Sequence, residues 1–291
     1  MWSRAEWAAA AVGQGRRHGL VTCRVVGPAP ASSVAGGCGG SRQSTGTVGS
    51  GHLYDVVMGL LFSTRTSGSS WISTVWTCRT AQVAAMTAVA SETWGLVFWH
   101  EKGTAHAAVV GPESRTSAAP VPQETSFVGI QFAVGTSLRT TDTAVLVDRG
   151  IALPNTTPRS FWLDGRRWQT PDADDAEILV DRLVRYGVLV RDPVVAGVLG
   201  GDRPALSPRT LERRFRAATG LTRGAVWQIH RVRTAAGLLT AGSPVDVVVD
   251  QLDYYDEPHL ARMLRRYVGR SARRLRAGAG GAIALDPAQR T

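Results

Sequence analysis

The chain has 291 residues, enough for two domains of ordinary size, and carries a net charge of +10. No apolar run approaches the ~20 residues that a membrane-spanning helix needs. Cys23, Cys38 and Cys78 are odd in number and too widely spaced for a structural zinc site, so they read as reduced thiols in a cytosolic protein.

Residues 1–66 are rich in Gly, Ala, Ser and Arg, with Gly36-Gly37-Cys38-Gly39-Gly40 at their centre. No helical or strand period is sustained there, and the composition predicts a disordered N-terminal extension. The apolar stretch from Trp7 to Val12, followed by Arg16-Arg17, is too short for a signal peptide. A translation start at Val56, Val57 or Met58 would give a shorter product.

Residues 67–170 change character. Trp71–Trp76, Met86–Ala90, Trp94–Trp99, Ala105–Val110 and Phe127–Phe132 are short β-favouring runs bounded by Gly, Pro, Ser or charged residues. Glu101-Lys102-Gly103-Thr104 predicts a hairpin turn. The expectation is a mostly antiparallel β domain. Its tryptophans either fill a core or line an apolar pocket, and Trp76, Trp94, Trp99 and Trp162 are the candidates for an effector pocket. His100 and His106, with Glu101 and Glu113 nearby, lack a tight His-x-His pair and a matching later histidine, so no metal is expected. There is no Gly-x-Ser-x-Gly elbow and no phosphate-binding glycine loop, so no catalytic residue is assigned and no cofactor is implied.

Residues 171–190 predict a connecting helix over Asp172–Tyr186. Acids cluster in its first turn, Arg182 and Arg185 lie near its end, and Gly187 is a stop.

Residues 191–278 hold most of the charge. Between 203 and 276 there are fifteen arginines against six acids, an excess of nine positive charges that suits a polyanion. Ser207-Pro208 reads as a helix start, with Leu211, Phe215 and Ala218 on an apolar stripe and arginines opposite. Thr222 caps a long helix to about Leu239, whose buried stripe is Ala225, Ile229, Val232, Ala236 and Leu239. Trp227 reads as a core residue beside that stripe and His230 as a packed or interfacial one. Ser243-Pro244-Val245-Asp246 repeats the start signal in capping-box form. A last helix runs from about Glu257 to Val268, with Leu260, Leu264 and Tyr267 inward. Residues 279–291 read as a flexible tail.

Three stretches in this segment resemble the C-terminal domain of AraC/XylS-family transcriptional regulators. They are Leu206–Phe215 with Gly220-Leu221-Thr222, Tyr254–Leu260, and Arg265-Arg266-Tyr267-Val268-Gly269, joined by a helix with Arg231, Ala235, Leu238 and Leu239. The resemblance implies two helix-turn-helix units that insert recognition helices into successive major-groove segments of double-stranded DNA. It places Arg209, Glu212 and Arg213 of the first recognition helix, and Glu257, His259 and Arg262 of the second, against base edges. Arg216, Arg265, Arg266 and Arg273 are implied phosphate contacts. Three departures stand out: Asp253 where the family usually has glycine, a short and glycine-interrupted Pro193–Leu199 that predicts a looser first unit, and Pro258 near a helix start. The front region is similar to the β domains that accompany such regulators, through Gly111–Arg115 and Arg159–Gly165.

The expected architecture is therefore α+β: an antiparallel β sensor-like domain followed by an all-α double helix-turn-helix domain. The expected function is sequence-specific transcriptional regulation without catalysis, in the cytoplasm at the nucleoid. A small-molecule effector or a homodimer partner would act through the β domain, and RNA polymerase would be a partner of an activator. The competing reading is a β-domain enzyme or metal-binding protein with a DNA-targeting tail.

Overall fold

The computed structural model describes residues 2–3, 53–57, 60–80, 85–120 and 122–278; for 2, 3, 53–57, 60, 61, 85, 86, 119 and 120 it describes the backbone alone. The strands are β1 (Trp2–Ser3), β2 (Leu53–Val57), β3 (Leu60–Arg65), β4 (Ile72–Thr80), β5 (Ala85–Ala88), β6 (Gly95–Glu101), β7 (Thr104–Val110), β8 (Ser117–Pro120), β9 (Ser126–Phe132), β10 (Thr136–Leu138), β11 (Arg149–Ala152), β12 (Ser160–Leu163), β13 (Arg166–Gln169) and β14 (Leu189–Arg191). Eight of them form one antiparallel sheet in the order β1-β11-β7-β6-β9-β4-β3-β2. Three short pairs, β5-β8, β10-β14 and β12-β13, complete the region. The mixed α+β architecture matches the expectation.

The sheet begins earlier than the composition indicates. β3 pairs along its whole length with β4, and β2 with β3, so part of the 1–66 tract belongs to the sheet. Most of the remainder of that tract, and the 279–291 tail, lie outside the described residues.

Alternation of side chains gives the sheet two apolar faces. Leu96, Phe98, Ala107, Val109, Ile130 and Phe132 face one core, and Val97, Trp99, Ala108, Val110 and Phe127 face the other. A register shift between Ile72 and Thr74 brings Ile72 and Val75 onto the same face although they are three residues apart. The predicted hairpin turn joins β6 to β7, with Lys102 and Gly103 both at positive φ, the backbone that a two-residue turn of matching twist needs.

Helix α1 (Ala176–Arg185) starts later than the acid cluster predicts. Asp172 and Asp175 use their side chains to close a turn before it: Asp172 N donates to Asp175 Oδ1 at 2.8 Å, and Asp175 N to Asp172 Oδ1 at 3.0 Å. Leu179, Val180 and Leu183 join the core that holds Trp94 and Phe161, so α1 is built into the β domain as well as leading out of it. Arg65 of β3 fixes its start, bonding both oxygens of Glu177 at 2.6 and 2.7 Å and the Ala173 carbonyl at 2.9 Å. That guanidinium pulls the Glu177 carboxyl down to about 2.

The remaining helices are α2 (Pro193–Leu199), α3 (Pro208–Thr219), α4 (Arg223–Thr240), α5 (Val245–Gln251), α6 (Glu257–Tyr267) and α7 (Ala272–Arg276). They share one hydrophobic core built on Val195, Phe215, Ile229, Val232, Leu239, Val248, Leu260, Leu264 and Leu275. Two residues of the β region, Val89 and Ala90, belong to that same core.

Candidate nucleic-acid interface

Helices α2 and α3 form the first helix-turn-helix unit. Asp192 holds them together with one carboxylate: Oδ1 accepts from Val194 N at 3.0 Å and caps α2, while Oδ2 takes Arg214 of α3 at 2.8 Å. The glycine in α2 is compact for a reason, since a Cβ at Gly197 would come within 2.3 Å of Asp202 Oδ2. The short α2 is therefore tied to α3 by an ion pair and followed by a tight turn. Ser207 caps α3 by accepting from Thr210 N at 3.2 Å, and Gly220 ends it at φ 71°. Leu211, Phe215 and Ala218 are buried, and Arg209, Arg213 and Arg216 are exposed on the other side.

Glu212 is placed differently from its arginine neighbours. Oε1 accepts from Arg216 Nε at 2.9 Å and Oε2 from Arg223 N at 3.1 Å, so the carboxylate joins α3 to the first turn of α4. A base edge would have to compete with both partners.

Helix α4 is the linker. Thr222 caps it, accepting from Ala225 N at 3.1 Å. Ile229, Val232, Ala236 and Leu239 of the expected stripe are buried, and Val226 and Ala235 join them because α4 packs against both units. Trp227, expected in the core, is 42% exposed: it lies outside the arc that the buried residues define.

Helices α5 and α6 form the second unit. The Ser243 cap is not made; α5 starts at Val245, with Pro244 at its N-cap and no side-chain bond. Asp253 takes the left-handed backbone at φ 53°, where glycine would be unstrained. Asp256 caps α6, accepting from His259 N at 2.6 Å, and Pro258 falls in the first turn, where a missing N–H is harmless. Leu260, Leu264 and Tyr267 are buried; Glu257, Arg262, Arg265 and Arg266 are exposed and His259 is half-buried. Beyond α6, Arg273 is exposed on α7, whose cap is Ser271.

Both units are seated on the β region, a junction no local pattern announces. Ala90 N donates to Tyr267 O at 2.8 Å and Thr116 N to Arg266 O at 3.0 Å, which fixes the end of α6. Ala90 O accepts from Arg233 of α4 at 3.2 Å. Glu92, 7% exposed, lies 3.6 Å from His230 Nδ1. Burial pushes the Glu92 carboxyl up, but the His230 contact and the Arg233 charge outweigh it and leave it below its ordinary 4.5. His230 is thus interfacial, one of the two places the sequence allowed it. The first unit abuts the segment Thr143–Val147, where a Cβ at Gly220 would meet Val147 Cγ2 at 2.6 Å and Thr143 O at 2.7 Å.

The four tryptophans do not gather in one place. Trp94 is buried in the core beneath the sheet, against Phe132 at 4.2 Å. Trp76 and Trp99 lie on the opposite face, Trp76 against Phe62 and Trp99 against His106 and Phe127. Trp162 is 37% exposed on the β12-β13 hairpin. His100 pairs with Ala105 and His106 with Trp99, so adjacent register positions send the two imidazoles to opposite faces. Among the described residues no group of three or more His, Cys, Asp or Glu is placed to hold a metal ion, and no helix is long and apolar enough to cross a membrane.

Residues 202–278 match a known family described as a helix-turn-helix domain. The segment is a DNA-binding domain of the AraC/XylS type, and the chain carries it at its C-terminal end. The matched span begins after α2 and takes in α3 through α7. No curated protein and no solved structure matches the chain.

Proposed function

We propose that this protein is a sequence-specific transcriptional regulator, without catalytic activity, that works in the cytoplasm at the nucleoid. Arg209 and Arg213 of α3 and Glu257, His259 and Arg262 of α6 read base edges, with Glu212 beside them holding α3 to the linker helix. Arg216, Arg265, Arg266 and Arg273 set register on phosphates. One observation carries this reading: two helix-turn-helix units, each with a capped helix that is apolar on its buried side and arginine-bearing on its exposed side, are joined by one continuous helix.

The β domain modulates that engagement through a small-molecule effector or a second copy of the chain. The support is the direct seating of the helical region on it, through Ala90 and Thr116 at the second unit, Glu92 at the linker helix and Val147 at the first unit. A protein that activates would also meet RNA polymerase.

The test is selection of fragments from a randomised double-stranded DNA pool by the full chain, followed by binding at graded salt. Recovery of a bipartite consensus, with affinity falling steeply as salt rises, is the expected result. Binding without any base preference would overturn sequence-specific regulation.

A further inference from the structure

Arg231 lies on α4, inside the basic block, where an arginine invites assignment as one more phosphate contact. Its surroundings give it other work. The guanidinium carbon sits 4.0 Å from the centre of the Tyr254 ring, and Nη2 donates to the carbonyl of Asp253. Asp253 is the residue at φ 53° that turns the chain from α5 toward α6. Tyr254 is buried, and its ring meets the His259 imidazole edge-on at 5.4 Å and 78°. Burial pushes the phenol up to about 12, so the ring under the cation stays neutral. One cation on the linker helix therefore holds the strained turn residue, the ring after it and, through that ring, a side chain in the first turn of the second recognition helix.

We propose that Arg231 is a positioning residue for base reading by the second helix-turn-helix unit: it braces the Asp253 turn and the Tyr254 ring, and so sets where His259 meets DNA. This rests on the reading that α6 reads bases. The brace compensates a non-glycine residue at a backbone angle that L side chains disfavour. A glycine at that position is unstrained, so the proposal predicts that the two positions are energetically coupled.

The experiment uses the full chain and a randomised double-stranded DNA pool, with four proteins: the parent, Arg231→Met, Asp253→Gly and the double variant. Met keeps an apolar stem against Tyr254 and loses the charge and the donors. Expected for Arg231→Met is a loss of about tenfold in discrimination at the base pairs read by α6, with preference at those read by α3 unchanged. Expected for the double variant is recovery of most of that discrimination. An equal loss at both sets of base pairs, tracking a fall in melting temperature, would make Arg231 a general structural residue and overturn the proposal. So would unchanged preference with the salt slope of binding reduced by about one, the mark of a phosphate contact. If Arg231→Met does not fold, Arg231→Lys replaces it; the same selective loss supports the brace, and parental discrimination or failure of this variant to fold counts against it. A parent chain that selects no sequence refutes the regulator reading itself; a parent that selects normally while the variants behave otherwise refutes only the brace.

Discussion

The buried carboxylate of Glu92 and the imidazole of His230 face each other at 3.6 Å across the boundary between the β region and the linker helix. With Arg233 also contributing its charge, Glu92 sits below its ordinary 4.5. The unfolded chain therefore binds the proton more readily than the folded one, and stability rises with pH through that window. The contribution is complete above about 4.5 and is lost as pH falls through the lower folded-state value. Denaturant unfolding of the parent and of Glu92→Gln should differ at pH 7, and the gap should close as the pH is lowered below 4.5. A gap independent of pH would mean that Glu92 contributes shape and not charge. Arg233→Met, which removes one partner of a buried charge, should cost about 3 kcal/mol at neutral pH.

Because Val89 and Ala90 complete the helical core, a fragment of residues 190–278 lacks part of its own interior. It also leaves Tyr267 O and Arg233 without the Ala90 backbone. Burial of one valine is worth about 1.5–3 kcal/mol, so the fragment should unfold at lower denaturant than the helical region does within the full chain. Equal midpoints, followed by the helical circular dichroism signal, would show the seating to be energetically idle.

Arg213→Ala and Arg262→Ala should each relax base preference at one position of the bound sequence and cost about 1–3 kcal/mol in binding. Arg265→Ala should instead weaken all sequences alike and lower the salt slope by about one. Binding titrations against single-base operator variants at two salt concentrations separate these outcomes.

Glu212→Ala removes the acceptor for Arg223 N at the start of the linker helix. The expected cost is about 1 kcal/mol of folding stability, in the range of a lost N-terminal cap. Thermal unfolding measures it, and a stability equal to the parent would show that the carboxylate does not hold α3 to the linker helix.

Helix starts were legible where the chemistry is local. Ser207 and Thr222 sit beside their helices with the side-chain oxygen in reach of a free amide. The same logic misplaces Ser243, because α5 starts at Val245 and Pro244 takes the N-cap position instead. Asp253 was legible as a departure, and its backbone takes the left-handed angle that glycine adopts without strain. What could not be read locally is what depends on pairing. Trp76 and Trp94 look equivalent as a tryptophan-rich run, yet strand phase puts them on opposite sides of one sheet. The seating of Ala90 on Tyr267 joins residues far apart in the chain through backbone atoms, which no residue type signals.

Trp76 and Gly129 are cross-strand partners, and a Cβ at Gly129 would fall 1.9 Å from the indole. The indole occupies the volume that the opposite residue's side chain would fill, so two codons encode one packing unit. Drift at either position is confined unless the other changes in step: a larger residue opposite needs a smaller partner first, and a smaller partner leaves a hollow over a bare backbone. Among distant descendants of this chain, the pair should be inherited, or lost, together.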